Sequence, residues 1–242
     1  MTNSIKAPVA WGLVLLFFAF LIPLKESPAE DSVPNQLIVN MLPGKSVSQS
    51  IQQYGGSAVD TIDGSNIFLV TYTDTASLSS ILSQINSDSD VVIAQPNHII
   101  EFPEVDQMSE SFPDQSSPSF LQGTSPASYY GGNDYEIIRA DSAHIISTGA
   151  DVVVAIVDNG IYFDHPLFDS AFQNYGYDFV DNDSDASEDS GAVYGHGTFV
   201  AGIIMRVAPD CKLIPLRAFD EDGYGNCYNV ARAIYRAIED SA

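Results

Sequence analysis

The run Asp151-Val152-Val153-Val154-Ala155-Ile156-Val157-Asp158 constrains the fold of this chain more than any other stretch. Its β-branched apolar residues show no polar alternation, the pattern of a strand buried on both faces within a parallel sheet. Asn159-Gly160 breaks it. Asp158 then stands at the carboxyl end of a parallel strand, the edge where open α/β sheets place their sites. A carboxylate held there is costly without a partner, and Tyr194-Gly195-His196-Gly197-Thr198-Phe199-Val200-Ala201-Gly202 supplies one. Two glycines strip the bulk from around the imidazole, so a large group can approach it. Phe199, Val200, Ile203 and Ile204 follow with helical character, and the small Ala201 and Gly202 suit close packing on a sheet. The spacing predicts His196 at a helix start, partly exposed with its ring aimed outward, where a general base works and Asp158 fixes its tautomer. Taken singly, the aspartate reads as a turn residue and the histidine as a packed one; their order and contexts together point to chemistry.

The segments Val154 to Ile161 and His196 to Gly202 resemble the Asp and His motifs of the subtilisin-like serine proteases, the subtilases. That family is a standard illustration of the chain order Asp, His, Ser. The resemblance implies that Asp158 orients His196 and that His196 takes the proton from a serine attacking a peptide carbonyl. Phe199 departs from it, since the family often has a second histidine there. It also implies that Gly223-Tyr224-Gly225 is an extended edge that pairs with the substrate backbone, which explains the glycines as close-approach positions; the plain alternative is a turn. His144 takes a place where the family has a bulky aromatic, so it is expected to pack. His165, next to Pro166 and unframed by glycine, is expected to be structural.

Upstream, Gln36 to Asn40 and Ile67 to Tyr72 read as strands, and Ser46 to Tyr54 as a helix stopped by Gly55-Gly56. Leu78, Ile81, Leu82 and Ile85 form a clean apolar helix face. Val91 to Ala94 and His98 to Glu101 read as two further strands separated by Pro96-Asn97, with His98 a loop histidine. Residues 34–101 are thus expected to form a small α+β (ferredoxin-like) unit with both helices on one face of an antiparallel sheet. The unit resembles the inhibitory propeptide of subtilases, including its ending Ala94-Gln95-Pro96-Asn97-His98. The resemblance implies that it assists folding and blocks the cleft as an intramolecular inhibitor until it is cut away.

The organisation expected from the sequence is a signal peptide over 1–29, the propeptide unit over 34–101, an acidic flexible linker over 102–133, and the N-terminal part of a subtilase catalytic domain over 134–242. Lys6, the apolar Val9 to Ile22 and the small residues Ser27-Pro28-Ala29 support export, with an uncleaved membrane anchor as the alternative. After signal cleavage no stable membrane association is expected, and the product is secreted. The fold class is α/β: a partial subtilisin-like parallel sheet with flanking helices, preceded by the α+β propeptide unit. Nine basic residues against 32 acidic ones give a net charge of −23, which excludes nucleic acid as a partner. Polypeptide substrates are the partners implied by the resemblance.

Within the linker, Gly123-Thr124-Ser125 copies the first letters of the family's nucleophile motif, but it precedes Asp158 in an aperiodic segment and continues with Pro126, so it reads as coincidence. Asp181-Asn182-Asp183-Ser184-Asp185 begins like a calcium loop, then fails: Ala186 stands where the turn needs glycine and Ala192 where a bidentate glutamate belongs. No cofactor or metal is expected; a solvated acidic loop is preferred to weak Ca²⁺ binding at Asp181–Asp189. Lys212 to Phe219 reads as the next strand, with Pro215 unusual for a central one. A helix follows from about Tyr228 to Asp240. Cys211 and Cys227 flank that strand, so about seven residues at roughly 3.3 Å each keep them apart and unbonded to one another.

No serine after His196 sits in a Gly-Thr-Ser-Met frame. The expectation is therefore a secreted serine endopeptidase precursor whose serine-bearing part is missing here, so that residues 1–242 alone fold poorly and do not hydrolyse peptide bonds. The competing reading is a non-catalytic product whose 34–101 unit acts as a protease inhibitor or folding assistant.

Overall fold

The computed structural model describes residues 32–73, 78–102, 137–168 and 170–242. The expected signal segment, the linker beyond Phe102, Ser125 and the start of the expected catalytic part lie outside the described residues.

The first layer is an antiparallel sheet. Strand β1 (Ser32–Met41) pairs on one side with β3 (Ile67–Tyr72), placing Ile38 opposite Leu69, and on the other with β4 (Val91–Glu101), placing Ile38 opposite Gln95. Strand β2 (Gly56–Thr61) adds to the β3 edge. Alternation sorts the strands' side chains. Leu37, Val39, Met41, Val70, Tyr72 and Ala94 face helices α1 (Val47–Ile51) and α2 (Leu78–Ile85), which contribute Val47, Ile51, Ile81 and Ile85 to one closed core. Both helices thus cover the same face, as expected. Burial pushes the Tyr72 hydroxyl up to about 12. Gly55, left-handed at φ 74°, ends the α1 region as its sequence implied.

The structure corrects two expectations in this layer. Pro96-Asn97 does not separate a pair of strands: β4 runs unbroken through it, and His98 is a strand residue, not a loop histidine. Most of β4 has one hydrogen-bonded neighbour, because strand β8 (Tyr224–Asn226) joins only from Ile99 on, and a proline is tolerated there.

The second layer is parallel, in the order β5-β7-β6. Strand β5 (Val153–Asp158) pairs with β7 (Lys212–Arg217), and β6 (Tyr177–Asp178) flanks β7 on its far side. The β-branched run of β5 does face two cores: Val154 and Ile156 pack with Ala201 and Met205, while Val153, Ala155 and Val157 pack with Leu216 and Ala233. The first of these faces is covered by α4 (His196–Val207), the second by α5 (Cys227–Glu239). The short α3 (Ala140–His144) docks through the His144 Nε2, 2.9 Å from the Val207 carbonyl at the end of α4. Pro215 sits in the middle of the central strand, yet β6 pairs only with Leu216 and Arg217 beyond it.

The two sheets meet along α5. The second face of the antiparallel sheet sets Ile38 and Ile62 against the buried Tyr228. Asn226 caps the helix by accepting the Asn229 N–H at 2.9 Å. A second cap comes from β4: buried Asn97 accepts the Tyr228 N–H at 3.0 Å and donates to Gln36 at 2.8 Å. Such donors are otherwise orphans of a helix start. Cys211 and Cys227 are both free.

The acidic stretch before His196 is not simply solvated. Asp178 and Glu188 are buried, and fully buried Arg217 at the end of β7 reaches Asp178 at 2.5 Å, Asp181 at 3.0 Å, Asp189 at 2.9 Å and Glu221 at 3.6 Å. One strand-borne cation gathers three carboxylates of that acidic run and a fourth, Glu221, from the loop after β7. Among the described residues no three His, Cys, Asp or Glu side chains are grouped to hold a metal ion.

Candidate active site

Asp158 ends β5 and His196 opens α4, and their side chains meet: Nδ1 of His196 lies 2.8 Å from Oδ1 of Asp158. The pair is largely sequestered, with 14% of the histidine side chain and 8% of the aspartate exposed. In so dry a place the carboxylate is worth its desolvation only because it is paired. Asp158 Oδ1 also accepts the Asn159 N–H at 2.8 Å.

The loops hold this contact from both sides. Asn159 donates from Nδ2 to the Val193 carbonyl at 2.9 Å, and its Oδ1 accepts the Gly197 N–H at 3.0 Å. Gly195, at φ 91°, takes the left-handed turn into the helix. Gly197 is glycine for a different reason. A Cβ there would sit 2.0 Å from the Gly160 carbonyl oxygen, so only glycine lets α4 start against the end of β5. His165 is buried, with Nδ1 accepting the Leu167 N–H at 3.3 Å, a packing contact of its own loop.

The ring of His196 is not aimed into open solvent, as its sequence context suggested. Phe102 covers it, with ring centroids 4.5 Å apart and an interplanar angle of 28°. The same phenylalanine stacks on Phe219 at 4.3 Å. Phe102 therefore does not belong to a free linker; it is anchored directly after the last residue of β4. The Phe102 N–H donates to the Gly223 carbonyl at 3.1 Å, and β4 continues along β8 with Glu101 opposite Tyr224, Ile100 opposite Gly225 and Ile99 opposite Asn226. Tyr224 and Gly225 lie on an extended edge, strand β8, whereas Gly223 does not: it sits in the turn before the strand at φ 87°. The structure brings Asp158, His196 and this edge together around Phe102. Phe102 itself had no sequence signal beyond following an apolar strand.

Glu188 is grouped in the sequence with the acidic loop. Its Oε2 accepts the Gly195 N–H at 2.9 Å and its Oε1 the Thr198 hydroxyl at 2.9 Å. Burial pushes its carboxyl up to about 7, against the lowering effect of the Thr198 and Gly195 hydrogen bonds, and the Asp158 charge adds to the rise.

The parallel sheet with its flanking helices is subtilisin-like in fold. Residues 149–242 match the subtilase family of peptidase S8, and residues 22–97 match the fervidolysin N-terminal prodomain. Among curated relatives, the minor extracellular protease Vpr of Bacillus subtilis is 39% identical over 107 residues, 39% of this chain and 13% of the relative. Thermitase of Thermoactinomyces vulgaris is 32% identical over 126 residues, 47% of this chain and 43% of that protein. Among solved structures, fervidolysin from Fervidobacterium pennivorans aligns over 90% of this chain and 36% of its own, with a TM-score of 0.63 at 19% identity, a likeness of fold. The chain spans between 13% and 43% of the length of these curated relatives.

Proposed function

We propose that Asp158 and His196 are the base-orienting and proton-transferring members of a serine endopeptidase triad. The observation that carries this reading is the 2.8 Å contact between Nδ1 of His196 and Asp158. Asp158 fixes the tautomer that leaves Nε2 as the base. A serine Oγ attacks the peptide carbonyl, its proton passes to Nε2, and the imidazolium returns it to the leaving amine. Residues 197–242 hold one serine, Ser241, which follows the last turn of α5 and is not framed as a nucleophile. In this reading the attacking serine is not among residues 197–241, the described helix and strand segments that surround the pair.

Residues 34–101, with Phe102, act as a tethered inhibitor in this reading. What supports it is that the end of β4 pairs along the edge proposed for substrate and seats an aromatic ring on His196. A polypeptide substrate adds to the same edge as a strand. The apolar stretch before residue 30 and the extracellular names of relatives such as Vpr support export through a cleaved signal. No described helix is long and apolar enough to cross a membrane.

The test is casein cleavage. The 242-residue chain leaves casein uncut. A protein joining these residues to a serine-bearing segment cleaves it, and His196→Ala or Asp158→Asn lowers kcat/KM by about 10⁴-fold. Full activity in either variant overturns the assignment of the pair.

A further inference from the structure

We propose that Glu188 is a positioning residue of the Asp158–His196 pair, one carboxylate that pins the head of α4 on both sides of the imidazole and sets the charge His196 feels. The inference rests on the catalytic reading of that pair. Its geometry is specific. Gly195, just before His196, and Thr198, two residues after it, donate to the two different oxygens of Glu188. The Thr198 hydroxyl in turn accepts the Tyr162 N–H at 2.8 Å, so the same carboxylate reaches through it to the segment that follows Asp158. Asn159 makes the matching clamp from the other side through Val193 and Gly197. The four residues around the imidazole therefore cannot turn without breaking a buried hydrogen bond.

Glu188 is only 8% exposed, so it does not belong to the solvated face of its loop. A carboxylate at the start of a helix also meets the positive end of the backbone dipole. The titratable groups facing it are Asp158 at the end of β5, His196 at the head of α4 and the Tyr194 phenol, which burial and the Glu188 charge push upward. Because Glu188 changes charge near neutrality, it presents His196 with either a neutral acid or a second negative charge. The charged form favours the imidazolium. A structural prop would hold the loop without this second effect.

The test is NMR titration of the 242-residue chain with labelled glutamate carboxyls and histidine rings. In the wild type, the Glu188 carboxyl titrates near 7 and the His196 ring signals show an inflection at the same pH. In Glu188→Gln, that inflection disappears and His196 loses its proton at lower pH. Glu188→Asp keeps the charge and retains some of the effect. An unchanged His196 titration in Glu188→Gln overturns the proposal. Should that variant not fold, a wild-type His196 curve without the Glu188 inflection overturns it equally. The protease reading fails separately: it requires a far-downfield Nδ1–H signal from the bond to Asp158, whatever happens at Glu188.

Discussion

The antiparallel unit and the parallel unit of this protein bury their apolar residues in opposite ways. In the first, both short helices close over one sheet face, and Leu37, Val39, Val70 and Ile85 are wholly buried among themselves. In the second, β5, β7 and β6 carry helices on both faces, yet α4 leaves Phe199, Ile203 and Val207 exposed along one side, and Ile145 and Ile146 after α3 are more exposed still. The parallel unit also relies on buried polar clamps: Arg217 among its carboxylates, Asn159 between two loops, Glu188 beneath the head of α4. One region is held by a closed apolar core. The other is held by a site and keeps apolar surface outside it.

The strongest test of that contrast is Arg217→Ala. It removes the guanidinium paired with buried Asp178 and leaves that carboxylate without this charge partner, together with Asp181 and Asp189. Breaking a buried pair from one side costs about 3–5 kcal/mol. Chemical denaturation read by the fluorescence of an added probe on the parallel unit should report a loss of this size. A loss below about 1 kcal/mol would show that the carboxylates relax to solvent and that the clamp is no support.

Leu37→Ala should cost nearly as much, for the opposite reason. Leu37 is fully buried under α1 and α2, and its removal leaves a cavity in a core that has no other material to fill it. The expected loss is about 2–5 kcal/mol in the same denaturation experiment. Because β4 of this unit runs along β8 and covers His196 through Phe102, the same variant should also make the His196 ring more accessible to chemical modification. A stability loss with no change at His196 would uncouple the two units.

The sequence announced what local patterning can announce. The β-branched run to Asp158 and the Gly-His-Gly turn located both members of the pair, because a buried parallel strand and a glycine-framed helix start are short-range signals. The 3.6-residue spacing of Leu78, Ile81, Leu82 and Ile85 indicated α2 with the same directness. Strand β2 had no such signal: its residues are mostly exposed, as on a sheet edge, and mix polar with small or apolar ones without a period, so only pairing with β3 defines it. Arg217 with Asp178, 39 residues apart, and Asn97 with Tyr228, 131 apart, are contacts between elements, which no periodicity encodes. Glu188 was hidden for another reason. Among so many acids its charge carried no information, and burial alone separates it from its neighbours.

The smallest expected effect sharpens the comparison most. Phe199, Ile203 and Val207 fall four residues apart on α4, so they form one row along the helix, and each is exposed. An exposed isoleucine gives up little on truncation, so Ile203→Ala should change the unfolding free energy by less than about 0.5 kcal/mol, well below the loss expected for Leu37→Ala. A continuous apolar row does not rest quietly in water, however. Ile203→Ala should therefore reduce self-association of the chain in sedimentation runs at rising concentration, while Leu37→Ala increases it by exposing core. If Ile203→Ala instead destabilised the chain as strongly as Leu37→Ala, the row would belong to a packed core, and the contrast between the two units would be wrong at its root.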